Sequence, residues 1–253
     1  MLSKIKLVIA KILCNRFTGA LIASVCRNKI SYFGKIIVNT NNQLVTPYIK
    51  SLIFWGLYEK SEAKSVLKYL DKDMDVIELG SSLGVISSLI GKSISNRKLV
   101  CVEANPELLP IIDQNLRLNN IENYTILNIG VGNKNDVLWF VPGRHSTHGK
   151  MTDIEQYNAI KIPILHLSDL LISEKINNFN LVCDIEGSEI DIILSDPESL
   201  QKCNIIIIET HLVQRKSKQY TPEDIKKLIQ NLGFECIYSY DVNYIFKNTR
   251  TLS

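Results

Sequence analysis

Acidic and histidine side chains close two of the apolar, strand-like runs of this chain. One run ends at Asp184, and another ends at Glu209 and is followed by His211. Glu186 comes just after the first of these runs, where the next helix is predicted to begin. The carboxyl ends of parallel strands meet at one edge of an open α/β sheet, which is where ligands bind. We therefore expect Asp184, Glu186, Glu209 and His211 to form one catalytic rim.

Two kinds of chemistry suit these side chains. His211 is the natural general base for a hydroxyl, because the pKa of histidine lies close to neutral pH. Asp184 would then hold either the hydroxyl or the base. In the alternative, Asp184, Glu209 and His211 bind Mg²⁺ or another divalent ion that acidifies the hydroxyl. Metal-free base catalysis is the favoured hypothesis, and Glu189 is interpreted as a helix cap or dipole partner.

A strand, a glycine turn and a helix are predicted over Val76 to Ile94. Gly80 allows a sharp turn, and Gly84 is expected to let the helix approach the strand and a ligand closely. Dinucleotide-binding turns prefer G-x-G-x-x-G, whose bare N–H groups meet a pyrophosphate. A carboxylate at Glu78 would repel a phosphate but can face an ammonium or a sulfonium. This pattern favours S-adenosylmethionine, which carries both cations and no phosphate.

A second acid strengthens the prediction of a cofactor site. Glu103 ends the next predicted strand, 19 residues beyond Gly84. An acid at this place accepts hydrogen bonds from ribose hydroxyls in nucleoside-binding α/β folds. Asn105 and Pro106 then begin a helix, since proline suits the first helical turn.

Four motifs in this order and spacing resemble those of FkbM-type methyltransferases. They are Glu78-Leu79-Gly80-Ser81-Ser82-Leu83-Gly84, Glu103-Ala104-Asn105-Pro106, Asn128-Ile129-Gly130-Val131-Gly132 and Asp184-Ile185-Glu186-Gly187-Ser188-Glu189. The first is shared by most Rossmann-like methyltransferases, whereas the last is specific to the family. The resemblance spans about residues 52–247, and Ser81-Ser82 stands where the family more often has Ala-Asn.

The resemblance implies an S-adenosylmethionine-dependent O-methyltransferase that acts on sugar hydroxyls or on natural-product alcohols. It implies a Rossmann-like class I fold, with a mostly parallel seven-stranded sheet, a C-terminal antiparallel hairpin and an N-terminal helical segment. The predicted cofactor-binding residues are Glu78, Gly80, Ser81, Gly84, Glu103, Asn105 and Gly130.

Composition agrees with one enzyme domain. The 253 residues are 45% hydrophobic, which is enough for a sizeable core. Apolar strands alternate with amphipathic helices, as in α/β proteins. The six cysteines are scattered without a C-x-x-C pair, so neither disulfides nor a zinc site is expected. We therefore expect the protein to reside in the reducing cytoplasm. We divide the chain into a basic segment, 1–50, and a methyltransferase domain, 51–253.

Several elements are predicted from local patterns. Helices are expected over 59–70, 106–118 and 221–232. Strands are expected over 75–79, 99–103, 124–129, 137–141, 161–167, 180–184 and 204–210, with a closing hairpin at 234–240 and 244–247. A further strand pair is expected over 35–45, with its turn at 39–42. Loops are expected at 142–158, which holds His145 and His148, and at Arg215 to Lys218, interpreted as solvated.

Charge is distributed unevenly along the chain. Residues 1–58 carry eight basic residues and no acid, whereas the remainder carries 21 basic and 26 acidic residues. The longest uncharged run of the first 27 residues, 17–26, is too short to span a bilayer. Residues 1–30 could form a basic helix on anionic lipid, peripheral to the inner face of the membrane. In the alternative, the helix packs on the catalytic domain with solvated lysines.

Three functions are weighed. The leading hypothesis is methylation of a small-molecule or glycan hydroxyl, in a surface polysaccharide or glycolipid precursor or a natural product. The second is methylation of protein or nucleic acid, although the acidic catalytic part does not suggest a nucleic-acid partner. The third is another nucleotide-binding Rossmann module. The oligomeric state cannot be read from the sequence.

Overall fold

The computed structural model describes residues 13–133, 138–142, 149–152, 158–215 and 218–250. Its helices are α1 (Arg16–Val25), α2 (Pro47–Phe54), α3 (Lys60–Tyr69), α4 (Val85–Ser93), α5 (Leu109–Leu118), α6 (Leu167–Glu174), α7 (Glu189–Ser195), α8 (Pro197–Leu200) and α9 (Pro222–Asn231). Its strands are β1 (Lys29–Tyr32), β2 (Ile36–Asn39), β3 (Asp75–Leu79), β4 (Leu99–Val102), β5 (Tyr124–Leu127), β6 (Gly130–Val131), β7 (Leu138–Pro142), β8 (Gly149–Thr152), β9 (Ile160–Ile162), β10 (Ile164–Leu165), β11 (Phe179–Cys183), β12 (Cys203–Glu209), β13 (Val213–Arg215), β14 (Lys218–Tyr220), β15 (Phe234–Tyr240) and β16 (Asn243–Asn248).

A seven-stranded sheet in the order β15-β16-β12-β11-β3-β4-β5 forms the centre of the fold. Strands β5, β4, β3, β11 and β12 are parallel, and β16 and β15 add an antiparallel hairpin beside β12. This arrangement confirms the predicted mostly parallel sheet with a C-terminal antiparallel hairpin. Strands β3 and β11 are neighbours, so the ends of the cofactor strand and of the Asp184 strand lie side by side.

Both faces of the sheet are buried. In β12, Ile205 and Ile207 belong to one hydrophobic core, and Ile206 and Ile208 belong to the other. Successive side chains of a strand point to opposite faces, so this run is apolar throughout because it has no solvent-facing side. Cys101, Cys183 and Cys203 are buried in their strands, as expected of thiols that pack as small hydrophobes.

The N-terminal hairpin lies earlier in the chain than predicted. Strands β1 and β2 pair across a turn at Phe33 and Gly34, both of which have positive φ. A tight hairpin turn needs such left-handed residues, and Gly34 supplies one at little cost. The expected turn at 39–42 is therefore wrong. The side chains of Asn39 and Asn42 instead accept hydrogen bonds from the backbone two residues further on.

The predicted strand over 161–167 is also wrong in its extent. Pro163 separates β9 from β10, because proline cannot donate a ladder hydrogen bond. Strand β9 pairs with β7, whereas β10 pairs with β6, and helix α6 begins at Leu167. Helix α9 follows the prediction closely: Thr221 and Asp224 form a capping box, and Pro222 occupies its first position.

The basic segment shares its core with the catalytic domain. Helix α2 spans the predicted boundary at residue 50, and Ile30 and Ile53 lie in the same core as Leu83. Helix α1 packs on α2 at Gly19, where a Cβ atom would lie only 1.6 Å from the carbonyl oxygen of Pro47. Among the described residues, no helix is both long and apolar enough to cross a membrane.

Helix α5 connects this segment to the glycine turn through Asn115. The fully buried Asn115 accepts a hydrogen bond from the Asn39 N–H at 2.7 Å and donates one to the Leu83 carbonyl oxygen at 2.8 Å. A buried amide with both ends paired fixes the relative positions of the elements that it joins.

We expect Asn115→Ala to lower the free energy of unfolding by roughly 2 kcal/mol, because it leaves buried backbone groups unpaired. The exposed neighbour Gln114, which also contacts Asn39, provides a matched control. Gln114→Ala should change stability by less than about 0.5 kcal/mol. Urea unfolding followed by circular dichroism measures both variants, and equal effects would contradict the role of Asn115.

Candidate active site

A cavity of about 930 Å³ opens at the carboxyl ends of the central strands, and this is large for a ligand pocket. Predicted site residues that line it are Gly80, Glu103, Asn105, Gly130, Asp184 and Glu186. Other lining residues were not predicted as site residues and include Arg16, Tyr48, Tyr58, Glu59, Ser82, Phe140 and Ser188. The described lining thus includes members of both the predicted cofactor-binding set and the predicted catalytic set.

Gly80 lies directly against the backbone of Asp184. It has φ +89°, and a Cβ atom at this position would lie 1.9 Å from the Asp184 carbonyl oxygen. The Asp184 N–H also donates a hydrogen bond to the Leu79 carbonyl oxygen at 3.0 Å. Only glycine fits such an approach, so the cofactor turn and the acidic rim are held in contact.

Glu103 holds the glycine turn in place. Its carboxylate accepts hydrogen bonds from the Ser82 N–H at 2.8 Å and from the Asn105 N–H at 2.7 Å. The Asn128 side chain donates to the carbonyl oxygens of Glu103 and Ala104. Burial raises the pKa of Glu103, and the two backbone hydrogen bonds oppose that rise. Three predicted motifs therefore meet at this carboxylate.

Glu78 does not line the cavity. It is buried and accepts hydrogen bonds from the hydroxyls of Ser81 and Ser87. Burial raises the pKa of Glu78 to about 7, against the opposing effect of these hydroxyls. Its observed contacts stabilise the start of the turn, and direct contact with a cofactor cation stays a prediction. Ser81 is likewise buried and outside the lining.

Gly84 has a different neighbour from the one expected. Its φ is +72°, and a Cβ atom there would lie 2.9 Å from Cα of Ile112 in α5. The close approach that requires this glycine is thus between α4 and α5, because both helices cover the same sheet face. Gly130 lines the cavity as predicted, and its N–H donates to the Pro163 carbonyl oxygen at 2.8 Å.

Tyr58 is a site residue that sequence reasoning missed. It is buried, lines the cavity, and its hydroxyl lies 3.0 Å from the Ser82 hydroxyl. Ser82 has φ +48°, a left-handed conformation that is unfavourable for serine. The Tyr58 contact and the Glu103 hydrogen bond together hold Ser82 in this conformation. A tyrosine 21 residues before the end of β3 gives no local signal of this role.

His211 is held by Glu189 and surrounded by carboxylates. Its Nδ1 lies 3.0 Å from Oε1 of Glu189, whose side chain is fully buried. Its Nε2 lies 3.4 Å from Glu186, 3.9 Å from Glu209 and 4.0 Å from Asp184. The four predicted rim residues therefore converge, although Glu209 and His211 are not among the lining residues of the cavity.

Glu189 has two roles where one was expected. Besides contacting His211, its Oε1 accepts hydrogen bonds from the N–H groups of Ile185 and Gly187. It therefore organises the local turn, as a cap would, and also fixes the histidine ring. A carboxylate on Nδ1 orients the imidazole and leaves Nε2 towards the rim, the arrangement that many bases and metal ligands use.

These charges shift two pKa values at the rim. The hydrogen bond to Glu189 is the main cause that raises the pKa of His211 to about 9, and nearby carboxylates add to it. Burial, followed by the charges of Glu209 and Glu186, raises the pKa of Asp184 to about 7. His211 is therefore an imidazolium at neutral pH in the free protein, and it becomes a base only after that proton leaves.

Two further acids from α3 and its N-terminus face this region. Burial is the main cause that raises the pKa of Glu59, to about 8, and the charges of Asp184, Glu78 and Glu209 add to it. Burial and the charge of Glu59 raise the pKa of Glu62 in the same way. Their sequence context is an ordinary amphipathic helix start, so only the packing of α3 shows where they lie.

Arg215 contributes to the turn before α7 instead of being solvated. Its guanidinium donates to both carboxylate oxygens of Asp191 and, at 3.0 Å, to the Gly187 carbonyl oxygen. Glu186 and Gly187 both have positive φ, so this turn depends on external contacts to keep its shape. The expected loop is instead the hairpin β13–β14, and Lys216 lies outside the described residues.

The donor set also fits a divalent cation. Ligand atoms of Asp184, Glu186 and His211 lie within 4.8 Å of one another. One imidazole with two carboxylates suits transition metals better than Mg²⁺, which prefers oxygen ligands. A cation there would acidify a bound hydroxyl, as in the metal alternative, but the cluster contains Glu186 where Glu209 was expected. The expected loop histidines, His145 and His148, lie outside the described residues.

Comparisons with known proteins give consistent results. Over 141 residues, the chain is 27% identical to a ribosomal protein L11 methyltransferase of Alkaliphilus oremlandii (strain OhILAs), a match that covers 56% of this chain and 40% of that protein. The L11 methylase structure from Lactobacillus delbrueckii subsp. bulgaricus has 10% identity and a TM-score of 0.45, with 76% of this chain and 79% of that one covered. Precorrin-6y C5,15-methyltransferase from Geobacter metallireducens GS-15 has 15% identity and a TM-score of 0.42, with 77% and 89% covered.

A family model matches more than half of the chain. The model described as "Methyltransferase FkbM domain" matches residues 80–236, from the first glycine of the turn to β15. That range contains Glu103 of the predicted cofactor site, together with Asp184 and His211 of the predicted catalytic rim. The chain therefore belongs to the FkbM methyltransferase family.

Proposed function

We propose that this protein is an S-adenosylmethionine-dependent O-methyltransferase whose acceptor is a hydroxyl of a small molecule or glycan. The observation that carries the proposal is the position of His211. Glu189 holds its Nδ1, and its Nε2 lies beside the two cavity-lining acids Asp184 and Glu186. Gly80 joins that rim to the predicted cofactor turn. This arrangement supports a base that acts through the pocket beside the predicted cofactor turn.

The pocket supports a cationic methyl donor. S-adenosylmethionine supplies a methyl group on a positively charged sulfur. Lining acids are Glu59, Glu103, Asp184 and Glu186, whereas Arg16 is the one Lys or Arg side chain in the described lining. The pKa values of Glu59, Glu103 and Asp184 are raised in the free protein, so a bound cation would favour the ionised forms of these acids, whereas a phosphate would oppose them. The same acidic lining favours an uncharged or cationic acceptor, such as a sugar hydroxyl, over a phosphorylated one.

His211 would accept the hydroxyl proton at Nε2. The methyl donor, when bound, would supply the methyl group to the acceptor oxygen and leave as the neutral thioether once its methyl–sulfur bond is broken. Glu189 stabilises the resulting imidazolium through Nδ1. Asp184 and Glu186 would position the hydroxyl, since both line the cavity and lie near Nε2. Positioning of this kind lowers the barrier even without chemical participation.

A protein acceptor is the second candidate, because the chain shares 27% identity with an L11 methyltransferase over 141 residues. That relative is longer, and the match covers 40% of it. A folded protein substrate needs an open site, whereas base catalysis at a carboxylate-rich rim suits a hydroxyl. The acceptor assay below includes both substrates for this reason.

The cofactor proposal predicts selective binding. Calorimetric titration should show binding of S-adenosylmethionine and S-adenosylhomocysteine but not NAD. Glu103→Ala should weaken adenosyl binding by about tenfold or more, because it removes both the ribose partner and the hydrogen bond to Ser82. Glu107→Ala, at an exposed position of the same segment, should bind normally. A preference for NAD would contradict the proposal.

The raised pKa of His211 predicts the pH dependence of methyl transfer. The base must be deprotonated, so kcat/KM should rise with pH until about pH 9 and be about a hundredfold lower at pH 7. Glu189→Gln removes the main cause of the raised pKa, so the rise should move to lower pH. Glu198→Gln, at an exposed position of α8, is the control. A profile that stays at pH 9 in Glu189→Gln would contradict this assignment.

The acceptor class can be tested with labelled S-adenosylmethionine. Label should enter neutral or amino sugars and glycolipid extracts as an acid-stable O-methyl group, and His211→Asn should lower the rate by at least about a hundredfold. We expect transfer to continue in EDTA, as base catalysis requires. Label in ribosomal protein L11 instead would favour the second candidate. Activity lost in EDTA and restored by a divalent ion would favour the metal alternative.

A further inference from the structure

Three exposed side chains of α1 are large and apolar, and they lie on the same helix as the exposed Arg16 and Ser24. Phe17 is 80% exposed, Leu21 is 66% exposed and Val25 is 74% exposed. Their spacing of four residues places the three side chains in one stripe along the helix. We call these three residues the α1 stripe. A helix on the surface of a protein normally carries polar side chains on its outer face.

The opposite side of α1 is used for packing. Gly19 lies against Pro47 of α2, and Ile22 packs on the core. The other side of α1 already packs against the protein, so turning the helix could not bury the α1 stripe without exposing that packed side. Contiguous exposed apolar residues of this kind mark an interaction surface.

The basic charge of the N-terminal part of the chain favours an anionic partner for the α1 stripe. Residues 1–58 carry eight basic residues and no acid. Among the described ones, Arg27, Lys29 and Lys35 are exposed close to α1 in the chain. A second copy would bring two such basic surfaces together, which costs free energy. An anionic lipid surface instead attracts the cations and accepts the apolar side chains.

We infer that the α1 stripe docks this protein on an anionic membrane surface. The stripe enters the boundary between headgroups and acyl chains, while the basic residues that follow α1 in the chain contact acidic headgroups. Exposed Tyr48 and Pro47 of α2 lie at the rim of the cavity, and Arg16 lines it next to Phe17 in the chain. Docking thus brings the cavity close to the lipid. If the proposed function holds, this position suits a lipid-linked acceptor.

Vesicle sedimentation of the full chain tests the inference. Vesicles of phosphatidylglycerol and phosphatidylcholine should bind the protein, and pure phosphatidylcholine should bind it at least about tenfold less. Leu21→Glu with Val25→Glu should reduce binding to the anionic vesicles by about tenfold or more. Ile172→Glu is the matched control, because Ile172 is 76% exposed on α6, which packs on the other sheet face.

The outcomes separate this inference from the proposed function. A far-UV circular dichroism spectrum equal to that of the unchanged protein confirms that each variant is folded, and it depends neither on the membrane nor on the proposed function. Phe17→Gln replaces the double variant if that one fails to fold. No binding to anionic vesicles, or equal binding by the α1 variants, would overturn the inference. A lipid-free dimer that the α1 substitutions dissociate would also overturn it and assign the stripe to a second copy.

Discussion

The contact between Gly80 and the backbone of Asp184 is the constraint on which the site depends. A Cβ atom at Gly80 would lie 1.9 Å from the Asp184 carbonyl oxygen, so the two strand ends meet at a distance that only glycine allows. The contact exists because β3 and β11 are adjacent and parallel, with Leu79 in register with Cys183. Cofactor turn and acidic rim are therefore one rigid unit. Their relative position follows from strand order and needs no flexible loop.

Electrostatics sets the second constraint. Several carboxylates share a partly buried region, and the raised pKa values of Glu59 and Asp184 show that their full ionisation is unfavourable there. His211 offsets part of this charge as an imidazolium, which is why its own pKa rises. A bound sulfonium would offset more of this negative charge. Its repulsion of the imidazolium would also lower the pKa of His211 and favour loss of the proton. The site is thus best balanced when a cationic ligand is present and the base is free.

Sequence patterns predicted the site residues that lie at strand ends. They missed the residues that reach the site only through the packing of helices. The rim acids, Glu103 and the sheet type follow from apolar runs that end in polar residues, and such ends must meet at one edge of a parallel sheet. Tyr58 and Glu62 lie near the site only because the chain before α3 contacts Ser82 and α3 packs against β12, and no local pattern encodes those contacts. Gly84 was correctly identified as a close-approach position, but its neighbour belongs to α5, which sequence spacing could not show.

Glu189 shows why a local interpretation can be correct and still incomplete. Its Oε1 accepts from the N–H groups of Ile185 and Gly187, as a capping residue would, so the sequence context explains its presence. The same oxygen contacts Nδ1 of His211, which follows β12 and lies 22 positions away. Thr210, between Glu209 and His211, bonds to the Val242 carbonyl oxygen and fixes the chain there. The orientation of the proposed base, His211, therefore depends on Glu189 and on the turn that follows β11.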